Sequence, residues 1–265
     1  MDILTHALSG AAAATVLAAC VSVTVKRKCM IVFAGIVGGV LPDIDAISMW
    51  SGFDAVFGRL FQLSHSGRAI YGAKFWYSHH AFFHSLAAGL FFACLWSGAV
   101  YGINKWRKRS IDKSFKIFLC GWVLAFILGY WAHLLGDIPT PASVWGGVNL
   151  FWPSTAYVGG YGKIWWWNNY DIFLLLLICT LLNSVIILIK ISVTMKKITT
   201  GGILLLTITM ILLQINSRQT DYAYTGNTPK FRELEQASKE EQQRILGEPC
   251  YYLMAGFDRL IPFNF

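Results

Sequence analysis

Six long apolar stretches constrain this chain more than any other feature. They cover residues 7–25, 30–48, 81–103, 117–136, 171–190 and 200–216. Each approaches or exceeds the roughly 20 residues that a helix needs to cross a hydrocarbon core of ~30 Å. Only 14% of the 265 residues are charged, a fraction too low for an ordinary soluble protein. We therefore predict an all-α, polytopic membrane bundle of about six helices over residues 1–216, followed by a small helical tail over residues 217–265.

The basic residues predict how the bundle is oriented. They concentrate in the connections 26–28, 105–116 and 190–197, which share one side of the membrane if the six segments alternate. The positive-inside rule assigns that side to the cytoplasm. Both termini, the connections 50–80 and 138–170, and the tail are then extracytoplasmic. The net charge of +8 is thus a topology signal, so we expect membrane lipid and no nucleic acid as a partner.

Histidine is confined to the predicted outer side. The six histidines lie in outer connections or near the outward ends of segments, and none lies in a basic connection: His6, His65, His79, His80, His84 and His133. The six cysteines form neither a disulfide framework nor a thiolate metal motif. The segregation of histidine indicates a functional cluster at one membrane depth.

The spacing of ionisable residues supports such a cluster. Three pairs are separated by four positions: Asp2 with His6, His80 with His84, and His133 with Asp137. Side chains four apart lie on one face of a helix, so each pair can point toward one place. Asp43 and Asp45 follow Pro42 at the outward end of the second segment. We expect all four groups to meet.

Imidazole with carboxylate, without thiolate, suits zinc first and manganese or iron next. We predict a site of roughly one to three divalent ions with a metal-activated water. The expected ligands are His6, Asp45, His80, His84, His133 and Asp137. Asp43 and Asp45 are the expected catalytic carboxylates, with Asp43 as ligand or general base.

Other polar residues near these positions are candidates for supporting the ligands or contacting a substrate: Asp2, His65, His79, Ser85 and Asp171. Asp2 has an alternative role as a helix cap, and Asp171 has one as an electrostatic partner of its helix start. The tryptophans of the connection 138–170 favour an interfacial aromatic belt, with an apolar entry for a lipid-like substrate as the alternative.

Four ordered motifs resemble the YdjM family of bacterial inner-membrane proteins, which are described as membrane-bound metal-dependent hydrolases. The motifs are Met1–His6, Leu41–Asp45, His80–Leu86, and Gly129–Asp137 with Thr140-Pro141. The resemblance covers about the first 170 residues. It implies a plasma-membrane protein with a divalent-metal site at these His and Asp positions and Thr140 beside it. Phe83 departs from the family pattern, which has Thr before the second histidine.

The family is also distantly similar to zinc-dependent phospholipase C and to related zinc nucleases, which cleave phosphodiesters. The resemblance and the ligand chemistry together predict a membrane-bound, metal-dependent hydrolase that acts at the outer face on a phosphate ester or a lipid-linked substrate. Two alternatives remain open at this point. One is a divalent-metal transporter or sensor. The other is a structural metal site in an interaction protein.

Overall fold

A computed structural model describes residues 1–260 of the chain. Its α-helices are α1 (Ile3–Cys20), α2 (Val25–Val40), α3 (Gly67–Tyr71), α4 (Leu86–Trp106), α5 (Lys113–Asp137), α6 (Tyr170–Leu188), α7 (Val193–Asn216), α8 (Phe231–Leu246) and α9 (Glu248–Arg259). Six helical segments are long and apolar enough to cross a membrane: α1, α2 with the 3-10 turns that follow it, α4, α5, α6 and α7. The prediction of an all-α membrane bundle is confirmed.

Several helix ends differ from the predicted ones because polar caps set them. Thr24 caps α2, so that helix includes the basic residues 26–28 in its first turn. Ser85 accepts a hydrogen bond from the amide of Ala88, so α4 begins at Leu86 and not at residue 81. Ser192 caps α7, which begins at Val193, seven residues before the predicted start. Hydropathy locates the apolar core of a span, whereas the backbone caps fix where the helix begins.

Helices α1, α2 and α5 approach each other through glycine. A Cβ atom at Gly10 or at Gly129 would overlap the carbonyl oxygen of Gly35, and one at Gly35 would lie 2.5 Å from the carbonyl oxygen of Gly10. A Cβ at Gly39 would overlap the carbonyl oxygen of His6. We call these four glycines the glycine interface. Small residues permit such backbone contact between membrane helices.

The basic residues lie together at the other end of the bundle. The guanidinium of Arg27, in the first turn of α2, donates to the Ser114 hydroxyl at the start of α5 over 2.5 Å. The Lys196 ammonium, in α7, donates to the carbonyl of Ile187 near the end of α6. The basic connections therefore share one end of the bundle, and the histidines lie toward the opposite end.

The tail packs against the connection 138–170 at the histidine end. Arg218 forms a buried ion pair with Asp171 at the start of α6, at 2.8 Å. The Trp165 ring lies fully buried against Phe231 of α8, with ring centroids 5.0 Å apart. The predicted aromatic belt is therefore wrong for Trp165, and also for Trp145, which is 6% exposed. The Trp165 ring fills the space between connection and tail, and the Trp145 ring packs on Tyr71 and His80 rather than facing headgroups.

Substitution of Gly35 by Ala tests the glycine interface. The added methyl group overlaps Ala14 and the Gly10 carbonyl, so we expect a loss of about 1–3 kcal/mol in the free energy of unfolding. The thermal unfolding midpoint of the detergent-purified protein should fall accordingly. Gly98→Ala in α4 is the matched control, because its Cβ meets nothing within 4 Å. Equal midpoints for the two variants would contradict the packing described.

Candidate metal centre

Two irregular segments bring the polar residues to the end of the bundle. After α2, 3-10 turns over Leu41–Met49 place Asp43 and Asp45 beside α5. Before α4, His80 adopts a positive φ of 62° and a 3-10 turn covers Phe82–His84. His80 and His84 therefore do not share a helical face, and the prediction from their spacing is wrong. Their rings nevertheless lie 4.7 Å apart between centroids, because the chain folds back between them.

Four side chains converge at one point, which we call the central group: Asp43, His84, His133 and Asp137. The Nε2 atoms of His84 and His133 are 3.3 Å apart, and each lies 3.6 Å from Asp43 Oδ1. Asp137 Oδ2 lies 3.0 Å from His133 Nε2 and 3.8 Å from His84 Nε2. Two atoms bound to the same tetrahedral metal at ~2.1 Å are about 3.4 Å apart. The observed separations match that value.

The outer nitrogens of both histidines fix their tautomers. His133 Nδ1 donates to the carbonyl oxygen of Gly39 over 2.7 Å. His84 Nδ1 donates to Asp45 Oδ2 over 3.1 Å. A proton on each Nδ1 leaves the lone pair on each Nε2, directed at the centre. This is the arrangement in which metal-ligating histidines occur in proteins.

Asp45 lies behind the histidines rather than among the central atoms. Its Oδ2 accepts from His84, and its Oδ1 accepts from His79 Nδ1 over 2.7 Å. The sequence predicts a ligand and catalytic carboxylate at this position. In the structure, both oxygens of Asp45 accept hydrogen bonds from imidazole N–H groups, which suits a residue that orients His84.

His6 lies next to the central group. Its ring stacks on His133 with centroids 3.6 Å apart, and its Nε2 is 3.1 Å from Asp137 Oδ1, an oxygen that also pairs with the α-amino group of Met1 at 2.7 Å. Both ring nitrogens of His6 and Asp137 Oδ2 are buried and make no aligned hydrogen bond, although His6 Nε2 and Asp137 Oδ2 have an oxygen or nitrogen neighbour at 3.0–3.1 Å. Buried polar atoms rarely lack partners, and a bound cation would satisfy these.

Three overlapping sets of ligand atoms, each within 4.8 Å, suit a metal ion: Asp43 with His84 and His133; His6 with His133 and Asp137; and His79 with His80 and His84. Burial by itself would lower the pKa of His84, but the Asp45 charge and hydrogen bonds to Asp43 and Asp45 raise it to about 10. Burial and the neighbouring His79 and His84 lower the pKa of His80. The neighbouring carboxylates thus favour positive charge at His84, which is either a proton on Nε2 or a metal ion that takes the place of that proton.

The structure keeps five candidate supporting residues away from the central atoms: Asp2, His65, Ser85, Thr140 and Asp171. Asp2 caps α1 by accepting from the Thr5 amide, and Ser85 caps α4. The Thr140 hydroxyl donates to the Asp137 carbonyl. Asp171 pairs with Arg218, and His65 is exposed and stacks on Phe75. His79 differs from these, because it contacts Asp45.

Several contributors carry no signal in the sequence. The carbonyls of Gly39 and Gly147 accept from His133 and His80. The Tyr130 hydroxyl of α5 donates to the Phe83 carbonyl and anchors the turn that carries His84. Trp145 lies against the His80 ring, with centroids 4.6 Å apart. Backbone carbonyls cannot be selected from residue types, whereas Trp145 is visible in the sequence as one of the tryptophans of the connection 138–170.

The fold and the site define a class of protein: a polytopic membrane protein with a buried His/Asp group that can hold a metal ion at one end of its helices. The family model described as YdjM inner membrane protein matches residues 1–220. The chain therefore belongs to the YdjM family. The match continues through α6 and α7, beyond the 170 residues over which motifs are apparent. No curated protein and no solved structure matches the chain significantly.

Substitution of His133 by Ala tests metal binding directly. We expect elemental analysis of the purified wild type, after reconstitution with zinc, manganese or iron, to find roughly one to three equivalents of metal. His133→Ala should lose this metal because it removes a central Nε2 atom. The control is His65→Ala, which alters an exposed histidine and should retain the metal. A wild type that binds none of these ions would contradict the site.

Substitution of Asp45 by Asn distinguishes an orienting carboxylate from a ligand. Loss of an outer partner of a ligating histidine typically weakens metal affinity by about 10–100-fold. We expect Asp45→Asn to show this decrease in competition titrations with a chelator, while it still binds metal at saturation. Asp137→Asn, measured alongside, should bind no metal under the same conditions. Identical titration curves for the two variants would show that Asp45 is itself a ligand.

Proposed function

We propose that this protein is a metal-dependent hydrolase that cleaves a phosphate ester at the outer face of the inner membrane. The observation that carries the proposal is the central group, in which the Nε2 atoms of His84 and His133 lie 3.3 Å apart and each lies 3.0–3.8 Å from an oxygen of Asp43 and of Asp137. Clustered imidazole and carboxylate ligands are typical of metal sites that catalyse hydrolysis.

His84, His133 and Asp137 would hold the ion, with His6 beside them. Three protein ligands leave a coordination position for water or substrate, as catalytic zinc sites do. A divalent ion bound there, zinc first and manganese or iron next, supplies positive charge for phosphate oxygens and lowers the pKa of a water molecule. His79 and His80, which form a set with His84, offer atoms for a second ion.

Asp43 is assigned the role of general base. Its side chain is 18% exposed, whereas those of Asp45 and Asp137 are 1% and 3% exposed. In the proposed step Asp43 accepts a proton from water as the water oxygen bonds to phosphorus. The ester P–O bond breaks, and the departing alcohol takes up that proton. The products are the alcohol and the phosphate that has gained the water oxygen.

The orientation follows from charge. The basic ends of α2, α5 and α7 lie at one end of the bundle and the central group lies at the other. Positive residues remain in the cytoplasm during insertion, so the central group would face outward. The connection 138–170 and the tail would then be extracytoplasmic as well.

Two observations favour hydrolysis over the alternatives. An ion pathway needs charged or histidine side chains along the spans, but residues 7–20, 86–104 and 172–188 contain no His, Asp, Glu, Lys or Arg. A structural ion takes a closed shell of protein ligands, whereas partial exposure of Asp43 leaves the central group accessible on one side.

The proposal predicts hydrolysis of soluble phosphate esters. Metal-loaded protein should cleave p-nitrophenyl phosphate or bis(p-nitrophenyl) phosphate, lose the activity with a chelator and regain it with metal. Asp43→Asn should keep its metal but lower kcat by about 10²-fold or more, because the base is removed. Spheroplasts of the expression host should hydrolyse the same substrate without lysis, because the site faces outward.

The matched control is Asp54→Asn, which alters an exposed carboxylate that accepts from the Gly67 amide outside the central group. It should leave kcat unchanged. Loss of metal together with activity in Asp43→Asn would make Asp43 a ligand and favour a closed structural site. Activity that appears only after lysis would contradict the outward orientation.

A further inference from the structure

An apolar groove leads to the central group from the side of the bundle. It has a volume of about 420 Å³ and lies between the first turn of α1 at Ile3 and the last turns of α2 at Val37 and Val40. Ile44 lines its outer end. Asp43 is the one ionisable residue in its lining. A size of this order is typical of ligand pockets.

The groove lies on a side of α2 that is exposed in the described residues 1–260. Phe33 of α2 is 53% exposed, Ile44 of the following 3-10 turns is 49% exposed, and the half-buried Val37 and Val40 lie between them. The glycines of α2 occupy the opposite face, against α1 and α5. Exposed apolar side chains on a membrane-spanning helix contact lipid. The groove therefore opens toward the bilayer rather than toward water.

Asp43 joins the groove to the central group. Its Oδ1 lies 3.6 Å from the Nε2 atoms of His84 and His133, and its 18% exposed side chain forms part of the groove wall. Both histidine side chains are fully buried. The most exposed carboxylate of the central group thus lies beside an apolar surface that a hydrocarbon chain can occupy and that a small soluble ester does not need.

We propose that the groove admits the hydrocarbon chain of a phosphate-bearing membrane lipid, so that its phosphate reaches Asp43 laterally from the bilayer. This inference rests on the proposed hydrolase function and names the substrate class. A chain gains little energy on passing from lipid to an apolar groove, because lipid tails are as apolar as the lining. The groove thus provides access and position, and the phosphate at the central group provides recognition.

Val40→Trp tests this inference, because it fills the groove and leaves the central group intact. Hydrolysis is compared for two substrate sets: dioleoyl phosphatidic acid and phosphatidylglycerol in mixed micelles, and the two soluble nitrophenyl esters. We expect the ratio of kcat/KM for lipid to kcat/KM for soluble ester to fall by at least about tenfold. The control is Leu205→Trp in α7, a lipid-facing position 66% exposed, which should leave the ratio unchanged. An unchanged ratio in Val40→Trp would overturn the inference.

A second measurement separates this inference from the proposed function. A photoreactive benzoylphenylalanine replaces Val37, or Leu205 as control, in metal-loaded protein reconstituted into phosphatidylcholine nanodiscs with phosphatidic acid as the minor lipid. The probe at Val37 should capture phosphatidic acid above its share of the lipid, whereas the probe at Leu205 should not. If the wild type hydrolyses neither substrate set, the hydrolase proposal fails, and enriched capture at Val37 is then the test of whether the groove binds a phosphate-bearing lipid. Equal capture at Val37 and Leu205 would overturn the inference about the groove.

Discussion

Close backbone approach of α1, α2 and α5 is the constraint on which the rest of the structure depends. Apolar side chains give helices no reason to associate within lipid, so packing must come from van der Waals contact between backbones. Gly10, Gly35 and Gly129 permit that contact. Gly39 extends the same contact to the level of His6, and its carbonyl accepts from His133. The packing surface of the bundle and the outer partner of a site histidine are therefore the same stretch of α2.

The site holds several ionisable side chains in a buried environment, where an unpaired charge is unfavourable. Asp43, Asp45 and Asp137 approach buried imidazoles within a few ångströms, and carboxylates removed from water must be paired to be tolerated. Asp45 is paired by two imidazole N–H groups. Asp137 Oδ2 and the His6 nitrogens make no aligned hydrogen bond, although His133 and Asp137 lie 3.0–3.1 Å from two of these atoms. Hydrogen bonds therefore satisfy the carboxylate behind the histidines but not the atoms at the centre, which is the distribution expected of a preorganised cation site.

Residue spacing predicted side-chain contacts correctly only within a regular helix. His133 and Asp137 lie one turn apart on α5 and meet as their spacing predicts. Asp2 and His6 have the same spacing, yet Asp2 caps α1 and only His6 approaches the centre. His80 and His84 are also four apart, but they lie on turns before α4. An interval of four positions has directional meaning only after the backbone conformation is known.

The sequence by itself determined the membrane bundle, its six spans and the set of residue types that meet at one end, because hydropathy, span length and charge are local properties of the chain. Tertiary structure alone decided which of those residues face the centre. Asp43 and Asp45 are two positions apart, yet one lies on the groove beside His133 and the other lies behind His84. That division depends on the 3-10 turns after α2 and on carbonyls from distant segments. Such contacts form between residues far apart in sequence, so no local pattern encodes them.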